Sequence, residues 1–338
     1  MPSTQTEGTA MIASQPHEIV YSVATAGVAA RCVHVVADLG VADAIGDEAV
    51  SVSELARGCG ADADALDRVL RLLVAHGLFE HRGDAYAHTA ASQLLRSDHP
   101  MSMRAFASMF GLPAVWGSLT ALQHSVRTGA PAVQTIEPAG FWAYPQARPD
   151  EAAIFGQAMT AKAAADIAGV VGGYDFGRFA TIADIGGGRG HLLRAVLDAL
   201  PSAEGILFDL PEVIDSLQID DTRLTTHAGD FFADGLPAAD AYVLMEVIHD
   251  WADDECVAIL RAIADAAPAG ATVLVVESVI DEAESDARAQ TLDIVMLTVT
   301  GGRERTAGQL AVLFERAGLR TGAVIATEGA MRIAEASA

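Results

Sequence analysis

The stretch TIADIGGGRGHLLRAVLDAL, residues 181–200, decides the fold. An apolar run typical of a buried strand leads into Gly186, Gly188 and Gly190 at alternate positions, and then into a segment with helical spacing. Glycines allow the backbone to turn sharply and to approach a ligand closely, and the start of the following helix favours negative groups. The order strand, glycine turn, helix therefore predicts a ligand-binding turn.

From residue 180 onward, apolar β-rich runs alternate with helical segments. The β-rich runs are TIADIG, EGILFDL, DAYVLMEV and TVLVVESVI. This alternation predicts an α/β fold built on a Rossmann-like, doubly wound parallel sheet. The G-x-G-x-x-G spacing of dinucleotide sites is not met, because the third place counted from Gly186 is His191. A nicotinamide-dependent dehydrogenase is thereby disfavoured.

The N-terminal part has a different pattern. Residues 19–45 are apolar on nearly every face, as expected of a helix buried against another subunit or domain. Further helical segments follow, and FEHRGDAYAHT then predicts a hairpin that turns at Gly83 and Asp84. We expect a flexible arm over residues 1–15, a winged-helix dimerisation domain over 16–110, a helical connection over 111–170 and an α/β domain over 171–338.

The charge of the predicted winged-helix domain distinguishes between nucleic acid binding and dimerisation. The chain has a net charge of −24, and residues 51–100 carry seven acids against five arginines. Nucleic acid binding requires a basic face. The sequence therefore favours dimerisation and predicts no nucleic acid partner, and a ligand-sensing winged-helix regulator remains the non-enzyme alternative.

Composition also bears on the compartment. No apolar stretch is expected to reach the roughly 20 residues of a membrane span, and no signal peptide is evident at the N-terminus. Three cysteines at wide spacing predict neither a disulfide framework nor a zinc site. We expect a cytoplasmic protein without a membrane partner.

Acids follow successive predicted strands. Asp184 precedes the glycine turn, Asp209 ends the next strand, and Asp230 follows the third with Phe231 beside it. An acid at the position of Asp209 can accept both ribose hydroxyls of a nucleoside. Asp230 can accept from an adenine amino group while the aromatic ring flanks the base. Together with the glycine turn, these acids predict a nucleoside site.

The segment YVLMEVIHDWADDE, residues 242–255, places His249 where an apolar run meets several acids. Three readings are open at this point: a metal ligand, a structural histidine at a strand end, or a catalytic base. Adjacent His249 and Asp250 cannot easily reach one ion from an extended strand, so we expect no metal site. Asp253 and Asp254 are expected to begin a helix that Asp250 caps.

The segments DIGGGRG, FDLPEV, GDFF, HDW and GGRERT occur in this order. In this the chain resembles the bacterial and plant small-molecule O-methyltransferases that use S-adenosylmethionine. The resemblance covers nearly the whole chain, and it implies a class I methyltransferase domain preceded by a winged-helix dimerisation domain. It implies that helices over residues 17–45 pair two copies into a homodimer and close the partner's pocket.

The resemblance also assigns the site. It implies that His249 is the general base toward an acceptor hydroxyl, flanked by Glu277 and Glu304, in an SN2 methyl transfer. S-adenosylmethionine would be bound by Asp184, Gly186, Gly188, Asp209, Leu210, Asp230 and Phe231, and the aromatic acceptor by Phe155, Met159 and Met296, with Trp142 a further candidate.

Approximate free energies indicate how much the general base and the positioning of the substrates each contribute to the reaction. A phenol has a pKa near 10 and an imidazole near 6.5, so prior proton transfer would cost roughly 5 kcal/mol. Carboxylates beside His249 would reduce that gap. Positioning the methyl donor in line with the acceptor oxygen would supply of order 7–11 kcal/mol in ideal cases.

Two departures from the family pattern leave questions open. Met245 and Glu246 stand where relatives often carry a basic or amide residue, and the role of Glu246 is open. The segment LTVT, residues 297–300, lacks the asparagine of the plant phenolic enzymes, which favours a bacterial secondary metabolite, a phenol or an enol. The alternative chemistry is N- or C-methylation, or base-independent hydroxylation or decarboxylation, on the same fold and cofactor.

Overall fold

The computed structural model describes residues 15–281 and 287–338. Contacts divide the chain into two units, one ending at His99 and the other spanning Pro100–Ala338. The predicted arm of residues 1–15 lies, except for Gln15, outside the described residues. The predicted boundaries at residues 110 and 170 stay predictions.

The first unit is helical with a small sheet. Its elements are α1 (Pro16–Asp38), α2 (Val41–Ile45), β1 (Val50–Ser51), α3 (Val52–Cys59), α4 (Ala63–Ala75), β2 (Phe79–Arg82), β3 (Ala85–His88) and α5 (Ala90–Gln93). Ser51 caps α3 in a capping box with Glu54, and Asp62 caps α4. The strands form an antiparallel sheet in the order β1-β3-β2, with the hairpin turn at Gly83 and Asp84. As predicted, helical segments precede a hairpin, and the short strand β1 extends that hairpin to three strands.

Helix α1 exposes apolar side chains along much of its length. Val20, Tyr21 and Val23 are 68%, 72% and 72% exposed. By length and composition α1 could span a membrane, and only 11% of its most apolar window is buried. The expectation that no stretch reaches that length was therefore wrong, because the few charged residues of this segment lie mostly toward its C-terminal end. An apolar face of this size requires a partner surface.

The second unit begins with helices. These are α6 (Arg104–Gly111), α7 (Pro113–Thr120), α8 (Leu122–Thr128) and the long α9 (Pro149–Gly173), with 3-10 turns at Ala132–Thr135, Phe141–Ala143 and Pro145–Ala147. Met109, Val115, Val133 and Phe141 form an apolar cluster with residues of a later helix.

The α/β part follows in regular alternation. It contains a 3-10 turn at Phe176–Arg178, β4 (Thr181–Ile185), α10 (His191–Ala199), β5 (Glu204–Asp209), α11 (Pro211–Asp215), β6 (Leu224–Ala228), β7 (Ala241–Met245), a 3-10 turn at Ile248–Asp250, α12 (Asp253–Ala266), β8 (Thr272–Glu277), β9 (Val279–Ile280), α13 (Ala287–Val299), β10 (Arg305–Thr306), α14 (Ala307–Ala317), β11 (Arg320–Ala326) and β12 (Arg332–Ser337).

The described strands of the main sheet run in the order β11-β12-β8-β7-β4-β5-β6. Strands β4 to β8 are parallel, whereas β12 runs antiparallel to both β8 and β11. The doubly wound sheet is confirmed, and its final hairpin makes it mixed. Strand β8 is buried at every residue, as expected when helices cover both faces.

The strand order reverses between β4 and β7, which are hydrogen-bonded neighbours. In doubly wound sheets the crevice for ligands lies at such a switch point, outside the carboxyl ends of the strands. The glycine turn after β4 and the HDW segment after β7 both follow these ends. The topology therefore brings the two predicted parts of the site together.

Candidate active site

The glycine turn folds tightly over the end of β4. A Cβ at Gly187 would lie 2.5 Å from Asp184 Cγ and from Leu207 Cδ1, so only glycine fits there. Gly188 adopts a φ of +58°, and a Cβ at this position would meet nothing within 4 Å. One side of the turn thus packs against the sheet, while Gly188 faces open space that a ligand can enter.

Asp209 ties the end of β5 to this turn. Its carboxylate accepts from the N–H of Gly188 at 2.7 Å and from the N–H of Leu210 at 2.8 Å. Burial raises the pKa of Asp209, while these two backbone hydrogen bonds lower it in part. Asp184 lies beneath the turn, where burial and the charge of Asp209 raise its pKa to about 7. Of the two acids, Asp209 lies at the edge of the crevice and Asp184 is buried behind it.

Asp230 and Phe231 follow β6. The Asp230 carboxylate accepts from the N–H of Phe232 at 2.9 Å, which fixes the turn that presents the two aromatic rings. Phe231 packs edge-on against Phe232 and Trp251, with ring centroids 4.8 and 5.8 Å away. A Cβ at Gly186 would lie 3.8 Å from Phe231 Cε1, so this ring borders the glycine turn.

These features fit a cationic nucleoside cofactor. The glycine turn has no room for side chains on one side and leaves backbone accessible on the other. Asp184 Oδ1, Glu277 Oε2 and Glu304 Oε2 are buried, and among the described residues they have no hydrogen-bond partner. An excess of buried carboxylate complements a positive sulfonium. The residues present are therefore compatible with S-adenosylmethionine.

His249 is held by two glutamates from distant segments. It lies in the 3-10 turn Ile248–Asp250, four residues past the end of β7, and it is 4% exposed. Its Nδ1 lies 2.7 Å from Glu304 Oε1, and its backbone N–H donates to Glu277 Oε1 at 2.9 Å. A carboxylate at Nδ1 fixes the tautomer in which Nδ1 carries the proton and Nε2 is free to accept one. Asp250 Oδ1 lies 3.9 Å from Nε2.

The charges around His249 stabilise its protonated form. Burial lowers the pKa of His249, but Asp250, the hydrogen bond to Glu304 and the charge of Glu277 outweigh it and raise the pKa to about 10. Burial also raises the pKa of Glu277 to about 7 and that of Asp250 to about 6. The three groups titrate as one coupled cluster that favours an imidazolium beside carboxylates.

Two residues of the segment GGRERT, Gly302 and Arg305, support this turn, and neither is among the predicted site residues. Arg305 is 1% exposed and donates to the carbonyls of Ile248 at 3.0 Å and Trp251 at 2.8 Å. A Cβ at Gly302 would lie 2.0 Å from the carbonyl oxygen of His249. Arg305 also forms an ion pair with the carboxylate of Asp253 at 2.8 Å. These partners lie some fifty residues away along the chain, so no local sequence signal identifies them.

The acidic residues that follow His249 have roles at the start of helix α12 that differ in part from the expectation. Helix α12 begins at Asp253 with Ala252 as N-cap, and Glu255 accepts from the N–H of Ala252 at 3.0 Å. The prediction that Asp250 caps this helix was wrong, because Asp250 belongs to the 3-10 turn and its side chain lies toward His249. Within residues 15–281 and 287–338, no group of three potential ligands is placed to hold a metal ion.

The predicted acceptor residues come together in one apolar cluster. Phe155 and Met159 on α9 pack with Met296 on α13. Trp142 lies edge-on to Phe155, with ring centroids 6.4 Å apart, and stacks on Trp251 at 5.9 Å. Trp251 is two residues from His249, so this aromatic wall adjoins the turn that carries His249. Glu246 forms an ion pair with Lys162 of α9.

Comparison with known proteins agrees with this geometry. Residues 119–320 match the O-methyltransferase domain, and residues 21–98 match the O-methyltransferase dimerisation domain. The chain is 40% identical over 298 residues to a 2,7-dihydroxy-5-methyl-1-naphthoate 7-O-methyltransferase of Streptomyces carzinostaticus, covering 85% of this chain and 88% of that one. It is 38% identical over 302 residues to an 8-amino-8-demethylriboflavin N,N-dimethyltransferase of Streptomyces davaonensis, covering 84% and 85%.

Solved structures show the same architecture. LaPhzM superposes with a TM-score of 0.90 at 34% identity, covering 96% of this chain and 99% of that one. NcsB1, an O-methyltransferase from neocarzinostatin biosynthesis in complex with S-adenosylmethionine and 2-hydroxy-5-methyl naphthoic acid, superposes with a TM-score of 0.78 at 36% identity, covering 91% and 95%. This chain belongs to the S-adenosylmethionine-dependent O-methyltransferases of secondary metabolism that carry an N-terminal dimerisation domain.

Proposed function

We propose that this enzyme methylates a phenolic or enolic hydroxyl of a small aromatic secondary metabolite, with His249 as the general base. The observation that carries the proposal is the pair of glutamates on His249, with Glu304 on Nδ1 at 2.7 Å and Glu277 on the backbone N–H at 2.9 Å. This arrangement leaves Nε2 to receive a proton from the acceptor.

S-adenosylmethionine supplies an electrophilic methyl group on a positively charged sulfur when it is bound. The neutral imidazole of His249 takes the acceptor proton on Nε2 as the oxygen becomes nucleophilic. Glu304 holds the ring through the Nδ1 proton, and the neighbouring carboxylates stabilise the imidazolium that forms. Because the pKa of His249 is raised to about 10, it approaches that of a phenol, so proton transfer from the acceptor to the neutral imidazole is nearly balanced, and the cost at pH 7 lies in first removing the proton from the imidazolium.

The other predicted residues have separate roles in this proposal. On the cofactor side, Asp209 accepts the ribose hydroxyls, Asp230 and Phe231 contact the adenine, and Gly186, Gly188 and Leu210 present backbone, with Asp184 supporting the turn from beneath. On the acceptor side, Phe155, Met159, Met296 and Trp142 enclose the aromatic ring. What supports this assignment is the clustering of each set at one side of the crevice.

The test is the His249→Ala variant, assayed with labelled S-adenosylmethionine and 2-hydroxy-5-methyl naphthoic acid. Loss of general-base catalysis should lower kcat by about 10²–10⁴-fold. S-adenosylhomocysteine should bind with unchanged affinity, measured by calorimetry, since His249 is not part of the proposed cofactor contacts. Wild-type turnover by His249→Ala would remove the base from the mechanism.

N-methylation is the second candidate, because the riboflavin relative named above is an N,N-dimethyltransferase at 38% identity. Mass spectrometry and NMR of the product distinguish the two, since each methylation adds the mass of one CH2 group and the chemical shift of the new methyl carbon reports attachment to oxygen or to nitrogen. A product without this gain would instead indicate hydroxylation or decarboxylation.

We further infer that the first unit joins two copies of the chain. Of the exposed apolar residues of α1, Tyr21, Val23 and Val28 lie within residues 21–98, which match the dimerisation domain, and Ile19 and Val20 directly precede them. Covering such a face with the same face of a second copy removes apolar surface from water and gives a symmetric pair. The cytoplasmic location stays a prediction.

A further inference from the structure

Lys162 is the single lysine among 338 residues, and it is nearly buried. Its Nζ forms an ion pair with the carboxylate of Glu246, with side-chain exposures of 12% and 13%. Phe155, Met159 and Lys162 are spaced four and three residues apart on α9, so they share one face of that helix. The ion pair therefore lies at the end of the face that holds the predicted acceptor wall.

Glu246 has an unusual backbone. Its φ of +56° is the one positive value found outside glycine among the described residues. A non-glycine residue adopts this conformation only where surrounding interactions enforce it. Its N–H donates to the carbonyl of Val276 at 3.0 Å, and its carboxylate is held by Lys162. This strained residue lies three positions before His249, where the chain leaves β7 and enters the catalytic turn.

The ion pair also acts on the charge beside Nε2. Asp250 Oδ1 lies 3.9 Å from His249 Nε2. Apart from burial, the charges that act on Asp250 are His249 and Lys162, which lower its pKa, and Glu246 and Glu304, which raise it. Removing Lys162 leaves the negative charge of Glu246 uncompensated, and removing Glu246 leaves the positive charge of Lys162 uncompensated, so the two changes act on the imidazolium of His249 in opposite senses.

We propose that Lys162 and Glu246 are positioning residues for methyl transfer: their ion pair fastens the turn of residues 246–250 to α9, so that His249 Nε2 and the Asp250 carboxylate face the acceptor. A nearly buried ion pair suits this role, because either partner left alone is an uncompensated charge. The pair explains why an acid stands at Glu246 and why the chain's one lysine lies opposite. The inference rests on the proposed role of His249 as base.

The test compares Lys162→Met, Lys162→Arg and Glu246→Gln. Proton-detected NMR of ¹³C-histidine-labelled enzyme with S-adenosylhomocysteine follows the titration of His249, assigned with His249→Asn, and needs no acceptor. Lys162→Met should raise the pKa of His249, Glu246→Gln should lower it, and Lys162→Arg should leave it close to wild type. A role in folding alone would not move the two titrations in opposite directions.

Turnover with 2-hydroxy-5-methyl naphthoic acid is the second readout. Lys162→Met and Glu246→Gln should each lower kcat by about 10–100-fold, with S-adenosylhomocysteine affinity unchanged, whereas Lys162→Arg should recover to within about threefold. Arg223→Met, which breaks the ion pair with Asp221 elsewhere on the sheet, is the matched control and should keep wild-type kcat. If Lys162→Met does not fold, Glu246→Gln and Lys162→Arg retain the test.

The experiments distinguish a failure of the proposed function from a failure of the positioning role of Lys162 and Glu246. If His249→Ala keeps wild-type turnover, the proposed function is wrong. If His249→Ala is inactive while Lys162→Met and Glu246→Gln keep both the wild-type kcat and the wild-type titration of His249, the base stands and the positioning role is overturned. In a His249→Ala background, Lys162→Met should cause no further loss, and an additional tenfold loss there would also contradict the inference.

Discussion

Replacing Glu304 by glutamine tests how the carboxylate on Nδ1 tunes the base. The hydrogen bond between His249 and Glu304 is 2.7 Å long and buried. A glutamine oxygen can accept the same Nδ1 proton, so the ring orientation is kept and the charge alone is lost. Hydrogen bonds to charged groups contribute about 1.5–3 kcal/mol and neutral ones about 0.5–1.5, so the change removes about 1–1.5 kcal/mol from the imidazolium.

This energy corresponds to a decrease of about one in the pKa of His249, at 1.36 kcal/mol for each tenfold step. The pKa of His249 in the wild type is raised to about 10, so the neutral base is scarce at pH 7 and increases as pH rises. In Glu304→Gln the base is weaker but is neutral in more molecules at pH 7. We therefore expect little loss of kcat/KM near pH 7 and a loss of about 3–7-fold near pH 10, where the wild-type base is about half neutral and the variant base is mostly neutral.

The assay measures kcat/KM between pH 6 and 10.5 with labelled S-adenosylmethionine and 2-hydroxy-5-methyl naphthoic acid. The exposed Glu315→Gln is the matched control and should follow the wild type throughout. Glu304→Ala, which also removes the acceptor for the Nδ1 proton, should lose activity at every pH. A midpoint of Glu304→Gln that stays in place or moves to higher pH would refute the reasoning.

Three further predictions concern the turn, the core and the assembly. Gly302→Ala places a methyl group 2.0 Å from the His249 carbonyl oxygen, so it should abolish turnover, while calorimetry should still show binding of S-adenosylhomocysteine. Gly308→Ala, whose added methyl group would lie 3.9 Å from its nearest contact, should leave turnover unchanged. In the folded protein the pKa of Asp184 is raised from 3.8 to about 7, so the free energy of unfolding decreases as pH rises from about 4 to about 7. Asp184→Asn should gain about 2–3 kcal/mol relative to wild type between pH 5 and pH 8 in calorimetric unfolding, and a pH-independent difference would contradict this. Val23→Asp should shift the dimer toward monomer in analytical ultracentrifugation, while Val126→Asp, equally exposed at 72% in the second unit, should not.

The sequence alone determined the elements of this enzyme and the identities of its chemical groups. The run TIADIGGGRG predicts a strand, a turn and a helix because apolar spacing and glycine freedom act locally. The hairpin at Gly83 and the acid at the end of β5 follow from similarly short-range signals. The resemblance that the ordered motifs show implies His249 as the base, flanked by Glu277 and Glu304. The structure places these three residues in contact.

What only the tertiary structure decided are contacts between segments far apart in the chain. Sequence spacing could not show that Arg305 donates to the carbonyls of Ile248 and Trp251, because a backbone carbonyl is common to all residues and leaves no signature in the sequence. It misassigned Asp250 as a helix cap, since helix α12 begins two residues later than that role requires. The sequence also could not predict the ion pair between Glu246 and Lys162. These residues are 84 positions apart in the chain, and they meet only because α9 packs against the turn after β7.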